Sequence, residues 1–399
     1  MSGLWDLHPR DTNLGRTLNP LSRWHELTLV ERHNLPDTWI VTGPADVLGV
    51  FAPGMGMIVD LDGEQVTSGQ ARSIRRTRSV DPKTGRVENV VQVGFVSDRD
   101  VLAQRLCFPN PAHDLTTTMS TFSTSHDIRT GPVETVLLGY IAANAGPAAP
   151  IARRRIPGLV LPSSLGRGGT TTVKARMDNL GTLVHDLAEG GGLRVNVVHD
   201  ESTGTPRLLL TVAPVVDVSA NVVFGDVDSL RATAFVTDLD YTLEAGEVTD
   251  AVVFAAGQEE ARAGARFADE AAVALWGARR ELLVDQRQTD DVADIARAGA
   301  KALEDGASPT SITFTVSDSA DVRYWRDYRV GYRVGVELPG IPEALSDNVV
   351  REVTTTVRRG APTVRKVAVG TPGAAVGTTK EARRVANAMR RINVVERGL

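Results

Sequence analysis

Apolar positions in the first quarter of the chain follow strand-like runs broken by turn residues. Trp24–Glu31 is β-rich, Asn34-Leu35-Pro36-Asp37 signals a turn, and Thr38–Thr42 resumes strand character. Gly54–Asp60 reads as a glycine-punctuated strand, and Asp62-Gly63 supplies a hairpin signal before Glu64–Gly69. Asn89–Val96 is a further strand. Between the last two lie Arg72, Arg75, Arg76, Arg78, Lys83 and Arg86 around Asp81-Pro82, which predicts a long, exposed basic hairpin. Two readings fit it: a solvated loop, or a surface that meets an acidic neighbour in an assembly.

Near residue 130 the period changes. Thr130-Gly131-Pro132 predicts a helix start, and Val133, Val136, Leu137, Tyr140 and Ile141 share one helical face. Residues 150–172 read as a long loop rich in Pro, Gly, Arg and Ser. A second helix is expected from an Asp178 cap to Ala188, with Leu180, Leu183, Val184 and Leu187 as its stripe and Gly190-Gly191-Gly192 as its stop. Leu193–Val198 and Leu208–Val212 are strands. This helix–helix–hairpin unit is too short for a doubly wound sheet.

From about 220 strand patterns return at Asn221–Phe224, Ala232–Val236 and Ala251–Ala256. Gln258–Val273 reads as helix or loop extension. Thr289-Asp290-Asp291 opens a helix carrying Val292, Ile295, Ala296, Gly299 and Leu303, and Asp305-Gly306 closes it. Ser311–Val316, Arg329–Leu338 and Val349–Val357 alternate as strands. Lys380–Arg391 predicts a basic amphipathic helix; residues 376–399 hold six Lys/Arg against two Glu, a net of about +4. The expected division is a β domain over 1–125, a small α/β insert over 126–220, a second β domain over 221–375 and a basic tail over 376–399. The fold class is α+β and β-rich.

Composition narrows the function. At 399 residues, 42% hydrophobic and 23% charged, the chain suits folded multidomain protein. Its net charge of -5 gives no global attraction for nucleic acid or anionic membrane. The single cysteine, Cys107 in Leu106-Cys107-Phe108, reads as a buried small hydrophobe and rules out an intrachain disulfide or a multi-cysteine zinc site. The N-terminus lacks a signal-peptide pattern, and no apolar run is long enough for a membrane helix.

Catalytic signatures are missing from the sequence: no P-loop, His-Glu-x-x-His, Gly-x-Ser-x-Gly or dinucleotide fingerprint occurs. Four histidines precede aspartate (His113, His126, His185 and His199), but adjacent side chains diverge and make a poor dyad. Asp290-Asp291 caps a helix. Glu259-Glu260 and the Asp238, Asp240 pair are read as solvated loop or helix positions. Gly166-Arg167-Gly168-Gly169-Thr170 has neither the preceding strand nor the following lysine of a phosphate loop. No cofactor or metal is expected.

The segment Leu275-Trp276-Gly277-Ala278-Arg279-Arg280-Glu281 with Leu282-Leu283-Val284-Asp285-Gln286-Arg287 resembles one found in siphophage tail-hub proteins, where it precedes a helix and a strand. Asp327-Tyr328-Arg329-Val330-Gly331-Tyr332-Arg333-Val334 is similar to the same family's Asp-Tyr-x-x-Gly-Asp-x-Val strand, with Tyr332 in place of Asp. Glu31, Arg32, Asn34, Trp39 and Gly54 resemble positions in actinobacterial-phage minor tail proteins. The resemblance implies a non-enzymatic baseplate hub: a homotrimer with two tail-tube-like β domains per chain flanking the α/β insert, in a pseudo-sixfold ring. It implies a virion location, assembly in the host cytoplasm, and partners among the distal tail ring protein, the tape-measure protein and other tail-tip proteins. DNA would only pass through the lumen, with no stable membrane association. Candidate interface residues are Arg72, Arg75, Arg76, Arg78, Arg279, Arg280, Asp285 and Arg287. Two alternatives stay open: a tail-associated wall hydrolase, which needs a clustered carboxylate pair or a His-centred site, and a receptor-binding tail protein, which needs exposed aromatic platforms.

Overall fold

The computed structural model describes residues 4–370 apart from 18, 81–82, 84–86, 116–119, 227, 244, 258–261, 288–289, 308–309, 317–320 and 339–347. The helix expected over Lys380–Arg391 lies outside the described residues. So do Asp81-Pro82 and Arg86 of the basic hairpin, the Glu259-Glu260 pair and Thr289. The described residues fall into two compact units. One draws on Met1–Asp238, Phe314–Gly340 and Asn348–Val367; the other draws on Leu239–Thr313 and on the chain from Ala368.

The first unit opens with strands β1 (Trp5–Arg10), β2 (Glu26–Arg32) and β3 (Thr38–Pro44), then the turn α1 (Ala45–Leu48). Strands β4 (Gly56–Leu61), β5 (Glu64–Val80) and β6 (Val87–Ser97) follow, then α2 (Asp100–Ala103) and β7 (Leu106–Cys107). Asp62 (φ 53°) and Gly63 (φ 84°) both sit in the left-handed region, as a two-residue hairpin turn requires. Period-two alternation turns Leu27 and Leu29, Trp39 and Val41, and Val91, Val93 and Phe95 to one buried face. Trp39 stacks on Phe95 with ring centroids 5.3 Å apart, and Phe51 meets Phe95 edge-on at 5.2 Å.

The insert begins with β8 (Asp127–Pro132), so helix α3 (Val133–Asn144) starts later than Thr130: Pro132 is still extended, and Asp127–Pro132 pairs with β10. Strands β9 (Leu159–Val160) and β10 (Thr170–Ala175) interrupt the stretch expected to be loop. Short β11 (Asp178–Asn179) precedes α4 (Leu180–Gly190), whose cap is Asn179, accepting from the Thr182 amide at 3.1 Å, and not Asp178. Asp178 is instead taken up in pairing with Cys107. Strands β12 (Leu193–Asp200) and β13 (Arg207–Pro214) complete a sheet that α3 and α4 cover, around Leu137, Ile141, Leu180, Val184, Val195 and Leu210. Cys107 joins this core, and burial pushes its thiol up to about 12, which leaves it inert at neutral pH.

Strands β14 (Val216–Asp217), β15 (Val223–Gly225) and β16 (Ala234–Leu243) follow. The second unit contains β17 (Asp250–Phe254), β18 (Gly264–Ala268), helix α5 (Glu270–Trp276), β19 (Glu281–Asp285) and helix α6 (Val292–Asp305). Its sheet runs β18-β17-β19, with α6 against one face. Gly299 permits that close approach, since a Cβ there would sit 2.1 Å from the Phe267 ring. Among the described residues, the Ala-rich segment expected to be helix or loop is divided: Gly264–Ala268 pairs with β17 and the part after the Asp269 cap is helical.

The chain closes with β20 (Thr310–Val316), β21 (Tyr332–Arg333), β22 (Gly335–Glu337), β23 (Val350–Arg358) and β24 (Val364–Gly370). Arg329–Leu338 is not one strand, because Tyr332–Arg333 pairs with β14 and Gly335–Glu337 with β15. Among the described residues the largest sheet has twelve strands, in the order β1-β4-β5-β6-β3-β2-β23-β24-β20-β16-β15-β22. Its seam is the antiparallel β2–β23 ladder, running from Glu26 opposite Arg358 to Arg32 opposite Glu352. An ion pair closes each end, Arg358 to Glu26 at 2.7 Å and Arg32 to Glu352 at 2.9 Å.

Glu31 occupies the third inward position of β2, after Leu27 and Leu29. It is buried against Tyr324 and Trp325, whose indole N–H donates to its carboxyl oxygen at 3.2 Å. Burial, reinforced by Asp37, pushes the Glu31 carboxyl up to about 8, so it is largely protonated at neutral pH. A proton held in the folded chain and lost from the unfolded one favours folding below about pH 4.5, and that contribution is lost as pH rises to about 8. Denaturant unfolding is therefore expected to show Glu31→Gln gaining on the parent between pH 5 and 8, by a few kcal/mol. A constant difference between the two chains over that interval would refute the assignment.

Candidate assembly interface

Strand β5 is 17 residues long, but β4 pairs with it only as far as Gln70. On the other side β6 is paired with β3 only up to the Pro44–Val90 partners. Past Gln70, β5 is an edge strand on β6, with Arg75 opposite Gln92 and Arg76 opposite Val91 while β6 is still held by β3; past Val90 the two continue as a two-stranded ribbon, Arg78 opposite Asn89 and Val80 opposite Val87. The four arginines expected in a hairpin thus stand on strand β5, and Arg78 lies on its free ribbon part. A register shift between Ala71 and Ser73 marks a bulge at Arg72, where β5 parts from β4 and becomes an edge strand.

All four arginines are exposed. Arg72 pairs with Asp100, and Arg76 reaches the Gly49 carbonyl at 3.4 Å. Arg75 and Arg78 have no carboxylate partner among the described residues, and exposed Val80 and Val87 form an apolar pair beyond them. A long open ribbon invites edge pairing with another chain, and like charge along it repels a second identical ribbon.

The other candidate residues lie in the second unit and serve its own fold. Gly277 (φ 63°) ends α5, and Arg279 then turns back to pair with Asp250 and with Glu270 at 2.7 Å. Asp250 is buried; burial raises its carboxyl, but the Thr249 hydroxyl, Arg266 and Arg279 outweigh this and hold it below the usual range. Arg280 donates its amide to the Thr249 hydroxyl at 2.8 Å and its guanidinium to the Gly246 carbonyl at 3.1 Å. Asp285 stands between Arg262 and Arg287, and Arg287 is largely exposed. The segment Trp276–Arg287 is therefore a helix stop, a charge clasp around Asp250, and a strand.

Two of the histidines and the glycine-rich loop are held by hydrogen bonds within the chain. His199 bonds to the Leu14 carbonyl at 2.8 Å and His185 to that of Asn34 at 3.0 Å. The amides of Leu165 and Arg167 in the glycine-rich loop both point at the Glu134 carboxylate, at 3.1 and 2.9 Å, so the protein's own acid occupies the place an anion would take. Asp238 and Asp240 are on strand β16, not on loop or helix. Sequence reading missed the buried charges, although Glu31 shares its two-residue period with Leu27 and Leu29.

A family model described as Siphovirus ReqiPepy6 Gp37-like protein matches residues 6–371. Three solved structures share the fold over nearly the whole chain. The tail protein from Neisseria meningitidis MC58 is 14% identical, with 92% of this chain and 97% of that one covered, at a TM-score of 0.56. The 43 kDa tail protein of prophage MuSo2 from Shewanella oneidensis is 12% identical, covering 92% and 99%, at 0.54. Prophage tail protein gp18 from Listeria monocytogenes EGD-e is 10% identical, covering 98% and 99%, at 0.50. No curated protein matches the sequence.

Proposed function

We propose a function from the premise that the chain belongs to the Siphovirus ReqiPepy6 Gp37-like family, whose model spans residues 6–371: it is a structural, non-enzymatic hub subunit of a phage tail tip. Three copies form a ring in which each chain supplies two tube-like β domains, 1–125 and 221–375, so that six domains continue or close the tail tube. The insert, 126–220, stands beside the ring. The partners are further copies, the distal tail ring protein, the tape-measure protein and other tail-tip proteins, with DNA passing through the lumen.

The observation that supports this most is the β2–β23 ladder, which joins strands from the two ends of the chain into one sheet. A trimer can imitate sixfold symmetry only if each chain carries two β domains side by side, and fusing them through a shared ladder fixes their spacing. Native mass spectrometry of the purified chain, alone and mixed with the distal tail ring protein, is expected to give trimers or multiples of three. Monomers under both conditions would contradict the ring. Zymography on host cell wall is expected to release no soluble fragments.

A further inference from the structure

We propose that the basic β5–β6 ribbon of one copy docks on the acidic strand β16 of the next, and that this contact joins the copies side by side. The inference rests on the ring reading above and identifies which surfaces meet. Residues 72–89, which span the ribbon, carry six basic side chains and two acids, Asp81 and Glu88. From Ala232 to Ala261 the chain has no lysine, arginine or histidine, and six acids besides the buried Asp250. Asp238 and Asp240 of that stretch are exposed on β16 and, among the described residues, have no ion-pair partner. Arg75 and Arg78 are exposed and unpaired in the same sense.

Each strand also carries exposed apolar side chains. On the ribbon these are Val80 and Val87; on β16 they are Phe235 and Leu239. An apolar patch with a charged margin is the usual make-up of a protein interface. Each strand also leaves one backbone edge without a partner among the described residues, since β4 leaves β5 after Gln70 and β15, on the side of β16 away from β20, pairs only at Ala234 and Phe235.

Charge also selects the symmetry of the contact. A two-fold arrangement of ribbon on ribbon would set like charge against like and end at a dimer. A head-to-tail contact of basic ribbon on acidic strand leaves each copy with one surface of each kind to offer, which is the condition for a closed ring. The partner is accordingly a second copy of this chain.

The test is a charge exchange in the full-length chain, read by sedimentation velocity across protein and salt concentration. One variant is Arg75→Glu with Arg78→Glu. The other is Asp238→Asn with Asp240→Lys; asparagine is chosen because Asp238 has φ 51°, a region asparagine tolerates. Each is expected to weaken self-association by about tenfold or more, and raised salt should weaken the parent likewise. The four-fold variant is expected to recover a substantial part of the loss. Melting temperatures should stay close to the parent, because the four side chains are exposed and none has an ion pair among the described residues. Self-association of the parent that neither exchange alters would overturn this pairing and leave the ring standing. Loss in the single exchanges without recovery in the four-fold variant would also overturn it. A parent that stays monomeric at every concentration would overturn the pairing, and the ring with it if the distal tail ring protein gives no trimers either.

Discussion

Asp98→Ala is expected to destabilise the chain by about 3–5 kcal/mol, because it strands a buried guanidinium. Arg10 is fully buried and grips both carboxylate oxygens of Asp98, one of them at 2.7 Å. Gly56 makes room for it, since a Cβ there would lie 2.5 Å from the Arg10 Nε. The Ser68 hydroxyl donates to the same carboxylate at 2.6 Å and accepts from the His199 amide at 3.2 Å, so the pair also braces the insert's strand β12. Removing Asp98 therefore exposes two linked groups to an apolar interior. Replacing both partners, Arg10→Met with Asp98→Leu, is expected to cost far less, since neither charge then needs burial. Urea unfolding of the three chains measures this, and a double variant as unstable as Asp98→Ala would refute the account.

Asn34→Ala is expected to cost about 2–4 kcal/mol and to loosen the insert from the first sheet. The Asn34 carboxamide accepts from the Val195 amide at 2.9 Å and donates to the Leu193 carbonyl and to Glu189, both at 2.8 Å. Glu189 also holds Arg351 at 2.5 Å. Asn34 itself sits at φ 54°, which asparagine tolerates and alanine does not. Burial, with Arg351 and Arg99 nearby, pushes His33 down to about 2, so this junction stays uncharged at the histidine through the neutral range. Hydrogen exchange is expected to rise in α4 and β12 well before the rest of the first unit. Uniform exchange across that unit would show that Asn34 is not the hinge of this contact.

Much of the fold is legible wherever apolar periodicity and turn chemistry agree. Thr38–Thr42, Leu193–Val198 and Leu208–Val212 alternate cleanly, and Asp62-Gly63 dictates its own turn. Strand β1 is harder to read because its six residues include Pro9 and Arg10, and its inward pattern makes sense only once it pairs with β4. Strand β24 hides because Arg365 is buried within it. Gly264–Ala268 has no strand signature of its own and takes its form from β17.

The candidate interface was half visible. An arginine run announces an exposed basic surface, but arginine has little strand preference, so only the ladder with β6 makes it a ribbon. The segment around Arg279 stands out as a motif, yet its partner Asp250 lies 29 residues earlier, beyond any local pattern. Asp238 and Asp240 look like solvated carboxylates until β16 sets them on one strand.

The central claim is that three copies of this chain form a tail-tip ring. The most direct measurement is an image reconstruction of intact tails with the copies of this chain counted at the tip. Three copies, with six β domains arranged around the axis and the insert beside them, are the expected result. A tip that lacks the chain, or holds it in a single copy away from the axis, would contradict the account.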